Sequence, residues 1–153
     1  MPRVLSIIFS GLVAFAASAG WAGDSPALLQ SGSYEVQVSL ELPHVEDTGA
    51  KRIATVCITP PERNDNRGLI VLSDNNPLGR CPASNFHQDG DTLTFDIACP
   101  GGNAAIASAT YILSPQTFQG RIAMKMGGKN MTMTETQIGR RVGECLPGSP
   151  PHS

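Results

Sequence analysis

Hydrophobic and polar residues alternate with a period of two along much of the chain. The alternation is clearest over residues 34–42, which end at Pro43. A period of two is typical of a β-strand that buries one face and exposes the other. We therefore predict that the apolar members of this strand point into the core: Tyr34, Val36, Val38, Leu40 and Leu42.

Six further segments follow with the character of short strands, and turn residues such as Gly, Pro, Asn and Asp separate them. They are residues 52–58, 83–87, 92–99, 104–113, 117–126 and 131–140. No helical periodicity lies between them, and strands joined by turns are typical of antiparallel sheets. The sequence predicts an all-β protein, an antiparallel sandwich or small barrel of about seven strands, stapled by two disulfides.

The N-terminus has the pattern of a secretory signal. Arg3 precedes the apolar stretch 4–17, and Ala17-Ser18-Ala19 is a small-x-small cleavage motif. We predict a signal peptide over residues 1–19, with an alternative cleavage after residue 22. A lead-in (20–31), a single β domain (32–145) and a disordered Pro/Gly/Ser tail (146–153) complete the predicted organisation.

Composition and charge narrow the range of partners. The chain has 11 Lys and Arg against 13 Asp and Glu and a pI near 5.8, which argues against nucleic-acid binding. Beyond Ala17 no apolar run approaches the ~20 residues that a membrane-spanning helix needs. We expect a soluble exported protein that does not span a membrane.

The four cysteines allow three pairings. A three-residue hairpin loop at 89–91 would place Cys81 opposite Cys99, close enough for a disulfide. This leaves Cys57 to pair with Cys145. A zinc or redox site is disfavoured because the chain has no C-x-x-C spacing.

A methionine-rich hairpin is predicted over residues 124–133. With a loop at 127–130, Met126 faces Met131, Met124 faces Met133, and all four thioethers share one face of the hairpin. We favour an interpretation in which they fill the core. Two alternatives remain open: a deformable wall of an apolar ligand site, and a Cu(I) site, since thioethers select soft ions.

Motifs of catalysis are missing from the sequence: it contains no H-E-x-x-H, G-x-S-x-G, phosphate loop or dinucleotide fingerprint. Of the three histidines, His87 lies near acidic turn residues, where a solvated role is expected. Arg140 and Arg141 are candidate anion ligands, although a solvated strand end or an ion pair with Glu144 is the simpler expectation. We expect no enzymatic activity.

Several motifs occur in a fixed order along most of the chain. They are residues 32–36, 57–60, 94–99 and 118–120, the Met-x-Met hairpin, and Gly-Arg-Arg-Val-Gly-Glu-Cys at 139–145. In these motifs and their order, the chain resembles domain-of-unknown-function family 3617, a family of small exported bacterial proteins. Tyr34 and Phe95 stand where similar proteins often carry Trp. The resemblance implies a periplasmic location, and it assigns no activity and no catalytic residue.

These observations lead to an expectation about function. We expect a periplasmic, non-catalytic binding module for a small apolar ligand, without a cofactor. The alternatives are a structural or interaction protein of the envelope, which would recruit a partner through exposed strand edges, and a Met-rich Cu(I) carrier.

Overall fold

The computed structural model describes residues 29–43, 51–59, 66–128 and 131–148. The predicted signal peptide with its cleavage sites, most of the lead-in and most of the predicted tail lie outside the described residues. His44 and His152 also lie outside them.

Seven strands form one antiparallel sheet. They are β1 (Gly32–Glu41), β2 (Lys51–Ile58), β3 (Ala83–Asp89), β4 (Thr92–Ala98), β5 (Ile106–Leu113), β6 (Thr117–Met126) and β7 (Met131–Gly143). Their order across the sheet is β2-β1-β7-β6-β5-β4-β3. The predicted all-β class and the seven antiparallel strands are confirmed. The structure refines the arrangement to a single open sheet, with β2 and β3 at its edges.

The hairpin between β3 and β4 differs from the prediction near its turn. Asp89 pairs with Thr92, so the loop has two residues, and the predicted three-residue loop is wrong. A register shift between Ser84 and His87 then moves the pairing by one residue, at the point where Asn85 has a positive φ of 56°. This β-bulge restores the register that sets Cys81 opposite Cys99.

One face of the sheet, here called the inner face, is covered by residues 66–82, here called the crossing segment. It follows β2, runs over the inner face and ends with a 3₁₀ helix (Pro77–Arg80) before β3. Leu69, Val71 and Leu78 from this segment are buried in the same core cluster as the inward side chains of the strands. The core therefore lies between the sheet and an irregular cover, since the crossing segment has little regular structure of its own.

Two disulfides hold the described part of the chain. Cys57 is joined to Cys145 and Cys81 to Cys99, which are the pairs that the hairpin argument predicted. Disulfides of this kind form in oxidising compartments, so the protein is one that folds outside the cytoplasm. Within the described residues, no helix is long and apolar enough to cross a bilayer.

Candidate functional site

A polar cluster lies at the centre of the inner face. Glu135 and Gln137 on β7 are 0% and 1% exposed. The Glu135 carboxylate accepts hydrogen bonds from the backbone N–H groups of Leu72 and Ser73 at 2.7 and 2.8 Å, and one from Gln137 Nε2 at 2.6 Å. Gln137 Nε2 also donates to the Ile70 carbonyl at 2.7 Å. The two side chains thus fasten the crossing segment to the sheet.

Tyr111 extends this cluster. Its hydroxyl donates to Gln137 Oε1 at 3.0 Å. Burial raises the pKa of Tyr111 well above its ordinary value, and the nearby Glu135 carboxylate raises it further. The phenol therefore stays protonated and keeps its role as a donor. Glu135 and Gln137 were not predicted from the sequence, although the period of two that places Met133 on the inner face also places both of them there.

A second set of polar contacts fixes the start of the domain. Tyr34 donates its hydroxyl to the Gln30 carbonyl at 2.8 Å, and the buried Arg67 guanidinium contacts the Leu29 carbonyl. Burial raises the pKa of Tyr34, while the positive charges of Arg141 and Arg67 oppose that rise. These contacts bind backbone of the chain itself, so they are structural in character.

The two candidate anion ligands do not form one site. Adjacent residues on a strand point to opposite faces, and Arg140 and Arg141 accordingly have different partners. Arg140 lies 3.6 Å from the Glu35 carboxylate. Arg141 donates to the Ser31 carbonyl at 2.9 Å and pairs with Glu144. Each guanidinium already has a carboxylate partner, and anion binding by either stays a prediction.

The four hairpin methionines lie on the inner face in the predicted register. Met124 pairs with Met133 and Met126 with Met131. They differ in burial: Met124 is 3% exposed, Met126 and Met133 are half-buried, and Met131 is 44% exposed. Core filling therefore accounts for Met124 but not for Met131.

The outer face carries a groove with a volume of about 740 Å³. Outward side chains of six adjacent strands line it in one cross-strand row. In the order β1, β7, β6, β5, β4 and β3 they are Glu41, Thr134, Ala123, Ser108, Asp96 and Ser84. Because most of these side chains are small, the row leaves a depression across the sheet. Ile106, Lys125, Met124 and Met133 also line the groove. Leu42 lines it as well: the prediction that Leu42 points into the core is wrong, because β1 ends at Glu41 and Leu42 is 36% exposed.

The best-defined polar group in the groove is the Asp96 carboxylate. It accepts hydrogen bonds from Asn85 Nδ2 and Ser108 Oγ, each at 2.9 Å. These two hydrogen bonds lower the pKa of Asp96. The two hydrogen bonds fix the orientation of the Asp96 carboxylate, which is an ionised acceptor near one end of the groove. Lys125 adds a positive charge to the lining.

The charged and histidine side chains in the described ranges are dispersed over the sheet rather than grouped around a metal site. His87 is exposed and pairs with Thr94 across the β3–β4 ladder. No group of three His, Cys, Asp or Glu residues in the described part of the chain is placed to hold a metal ion. The outer-face groove is one of several depressions in the described part of the chain, and others lie beside the β6–β7 turn and along the crossing segment.

Comparison with known proteins places the chain in a family. No curated protein and no solved structure matches it. A family model matches residues 29–145, which include all seven strands and all four cysteines. The match covers far more than half of the chain, and the chain therefore belongs to the family described as "Protein of unknown function (DUF3617)".

Proposed function

We propose that this protein is a periplasmic, non-catalytic binding module for a small apolar ligand, and that the outer-face groove is its binding site. The observation that carries the proposal is the row of small outward side chains that crosses six strands. Ligand sites in proteins commonly have volumes of roughly 300–1,000 Å³ and few polar groups among apolar ones. The groove falls within that range.

The inner face is a poorer candidate for the binding site. Leu69, Val71 and Leu78 of the crossing segment fill it, and the Glu135 cluster fastens that segment in place. A ligand there would have to displace buried side chains and break charge-assisted hydrogen bonds. The outer groove needs no such rearrangement, because nothing in the described ranges has to leave it.

The lining of the groove suggests the chemistry of the ligand. Ala98, Ala123, Ile106 and Leu42 offer apolar surface, while Asp96 offers a fixed acceptor. From Glu41 to Ser84 the groove spans five strand spacings, or about 24 Å at ~4.8 Å each. A slender apolar ligand with a hydrogen-bond donor at one end would fit this shape.

The test fills the groove without touching the core. In Ala123→Phe the new ring would occupy the groove floor, and Thr110→Phe is the matched control on the same face outside the groove lining. Native mass spectrometry of protein purified after export without detergent would look for a co-purified small molecule. A fluorescent acyl-chain probe would supply affinities.

We expect a bound mass or probe binding for the parent and for Thr110→Phe, and a loss of at least about tenfold for Ala123→Phe. Binding that is equal in all three proteins would contradict the groove as the site. A bare mass together with no probe binding would contradict the ligand-binding function itself.

A specific observation supports a second candidate, an interaction protein of the envelope. Three exposed isoleucines, Ile53, Ile138 and Ile112, lie in one cross-strand row of the outer face, with Gln37 and Gln119 between them. Exposed apolar rows of this kind occur at protein interfaces. A co-purifying protein that is lost on Ile138→Asp but kept in Ala123→Phe would favour this candidate over the small ligand.

A further inference from the structure

The methionines of this chain are unusually concentrated. The sequence has five methionines, and all but Met1 lie in a single stretch of ten residues, 124–133, which forms the β6–β7 hairpin. The inward positions of the other five strands are occupied by other residues, mainly aliphatic and aromatic, without a single methionine. A general need for flexible core filler would distribute methionine over the sheet, so the concentration calls for a local cause.

Burial separates one methionine from the other three. Met124 is in the core, and its sulfur accepts a hydrogen bond from Asn76 Nδ2 at 3.2 Å. Met126 and Met133 are half-buried against the core, and Met131 is 44% exposed. Met126, Met131 and Met133, here called the methionine rim, therefore present thioethers at the edge of the inner face where solvent can reach them.

The register brings the rim sulfurs within reach of one another. Met126 and Met131 are directly opposed across the ladder, and Met133 is the inward neighbour two residues along β7. Directly opposed Cβ atoms lie about 4.5–5.5 Å apart, and diagonal neighbours about 7–8 Å. Methionine has three rotatable side-chain bonds, so three sulfurs at this spacing can converge on one ion without movement of the backbone.

The remaining donors of the chain favour a soft ion at the rim. Thioethers select soft monovalent ions such as Cu(I), whereas carboxylates and imidazoles suit harder or borderline ions. All four cysteines are in disulfides, so no thiolate competes with the thioethers. The described residues also place no group of three His, Cys, Asp or Glu that would hold a divalent ion.

We propose that Met126, Met131 and Met133 form a three-thioether binding site for Cu(I), with Met124 serving the core. The site binds the ion without redox chemistry, and the ion arrives already reduced. Met133 also lines the outer groove, whereas Met126 and Met131 do not. These two residues therefore separate this proposal from the proposed groove function.

The test uses Ag(I), a redox-inert ion with the same preference for thioethers, and the exported chain with its disulfides intact. Calorimetry and native mass spectrometry give affinity and stoichiometry, and ¹³C-methyl NMR of methionine reports which side chains respond. We expect one Ag(I) per chain, shifted methyl signals for the rim, and little change for Met124. A matching titration with Cu(I) under ascorbate and a chromogenic competitor then checks the ion itself.

The variants separate ligation from folding. We expect the triple variant Met126→Leu/Met131→Leu/Met133→Leu to bind Ag(I) at least about 100-fold more weakly than the parent. The single variant Met131→Leu, at an exposed position, should bind about tenfold more weakly and keep the melting temperature of the parent. Met124→Leu is the matched control and should bind within about threefold of the parent. Met131→Leu should leave probe binding in the groove unchanged, because Met131 does not line the groove. Failure of the groove and failure of the rim are therefore distinguishable.

Three outcomes of the Ag(I) measurements would overturn the proposal. They are absence of micromolar binding by the parent, equal binding by the parent and Met131→Leu, and a loss in Met124→Leu as large as that in Met131→Leu. Tight Ag(I) binding without Cu(I) binding would also overturn it, since the site is assigned to Cu(I).

Discussion

The two faces of strand β7 differ in a way that reverses the usual distribution of polarity. On the inner face Glu135 is fully buried and Gln137 nearly so, whereas Ile138 on the outer face is 58% exposed. The inward residues are held by the backbone of the crossing segment, which lies over them. The outward residue has no such cover. What lies opposite each face, rather than the hydrophobicity of the strand, decides which side chains are buried.

The crossing segment explains why polar residues are tolerated inside. Its irregular backbone has N–H and C=O groups that no strand ladder satisfies, and a buried backbone group without a partner is costly. The Glu135 carboxylate accepts from two such N–H groups, and Gln137 donates to the Ile70 carbonyl. Polar side chains on the inner face thus replace the partners that a neighbouring strand would supply.

Replacing a glutamate by glutamine should have very different effects on the two faces of the sheet. In Glu135→Gln, every orientation of the amide places an NH₂ group against a donor, because both carboxylate oxygens accept backbone hydrogen bonds. We expect a loss of about 2–4 kcal/mol in the free energy of unfolding. Glu35→Gln removes an exposed ion pair with Arg140 and should cost no more than about 0.5 kcal/mol. Urea denaturation measures both, and equal losses would contradict the comparison.

A change at Gly120 tests how tightly the side chains of the inner face are packed. An added Cβ at Gly120 would overlap the ring of Tyr111, which is packed against it. We expect Gly120→Ala to lower the free energy of unfolding by about 1–3 kcal/mol, since an overpacked core must shift. Gly143→Ala is the control, because an added Cβ there meets nothing within 4 Å. A Gly120→Ala protein as stable as the control would show that the ring moves aside without cost.

Both tyrosines of the chain are buried on the inner face, so alkaline titration reports on that face. The pKa of each is raised above 10.0 in the folded protein. Their contribution to stability is therefore fully present below pH 10 and is lost as the pH rises from there toward the folded pKa values. We expect phenolate absorbance to appear late and together with unfolding. Phenolate formation near pH 10 in a protein with intact near-ultraviolet circular dichroism would contradict this.

The smallest effect is expected on the outer face. Ile138→Thr replaces an exposed isoleucine by another β-branched residue, and we expect a change within about 0.5 kcal/mol. The melting temperature by differential scanning calorimetry measures it. A large destabilisation would mean that the outer face is covered, for example by a second copy of the chain, and would make the two faces alike.

Much of the fold could be predicted from the sequence because the signals are local. Alternation, together with the turn residues that separate the segments, placed all seven strands, and the bounds of β6 agree with the prediction. The register of the methionine hairpin was also predicted correctly, since glycines fix the turn and the period of two fixes the faces. The turn between β3 and β4 was wrong by one residue because a bulge at Asn85 has no strong sequence signal.

The candidate sites depended more on the tertiary structure. The sequence placed four methionines on one face, but it could not say that Met131 is exposed while Met124 is buried. The outer groove was not predicted, because its lining combines small residues from six strands that are distant in sequence. Glu135 and Gln137 were missed because the polar sequence of β7 does not show that another segment will cover its inward side chains. The crossing segment supplies their hydrogen-bond partners, and it is distant in sequence.

By itself, the sequence determined the strands and the sharing of one face by the methionines. These properties rest on the alternation of side chains along each strand and on pairing across adjacent hairpins. The pairing of Cys81 with Cys99 was predicted correctly, but the register behind it comes from a two-residue turn and a β-bulge that the sequence did not reveal. The tertiary structure decided that the sheet stays open, that residues 66–82 fill its inner face, and that a groove forms on its outer face. The physical reason is that these outcomes depend on long-range contacts between an irregular segment and side chains on several strands, and the period of a single strand does not encode them.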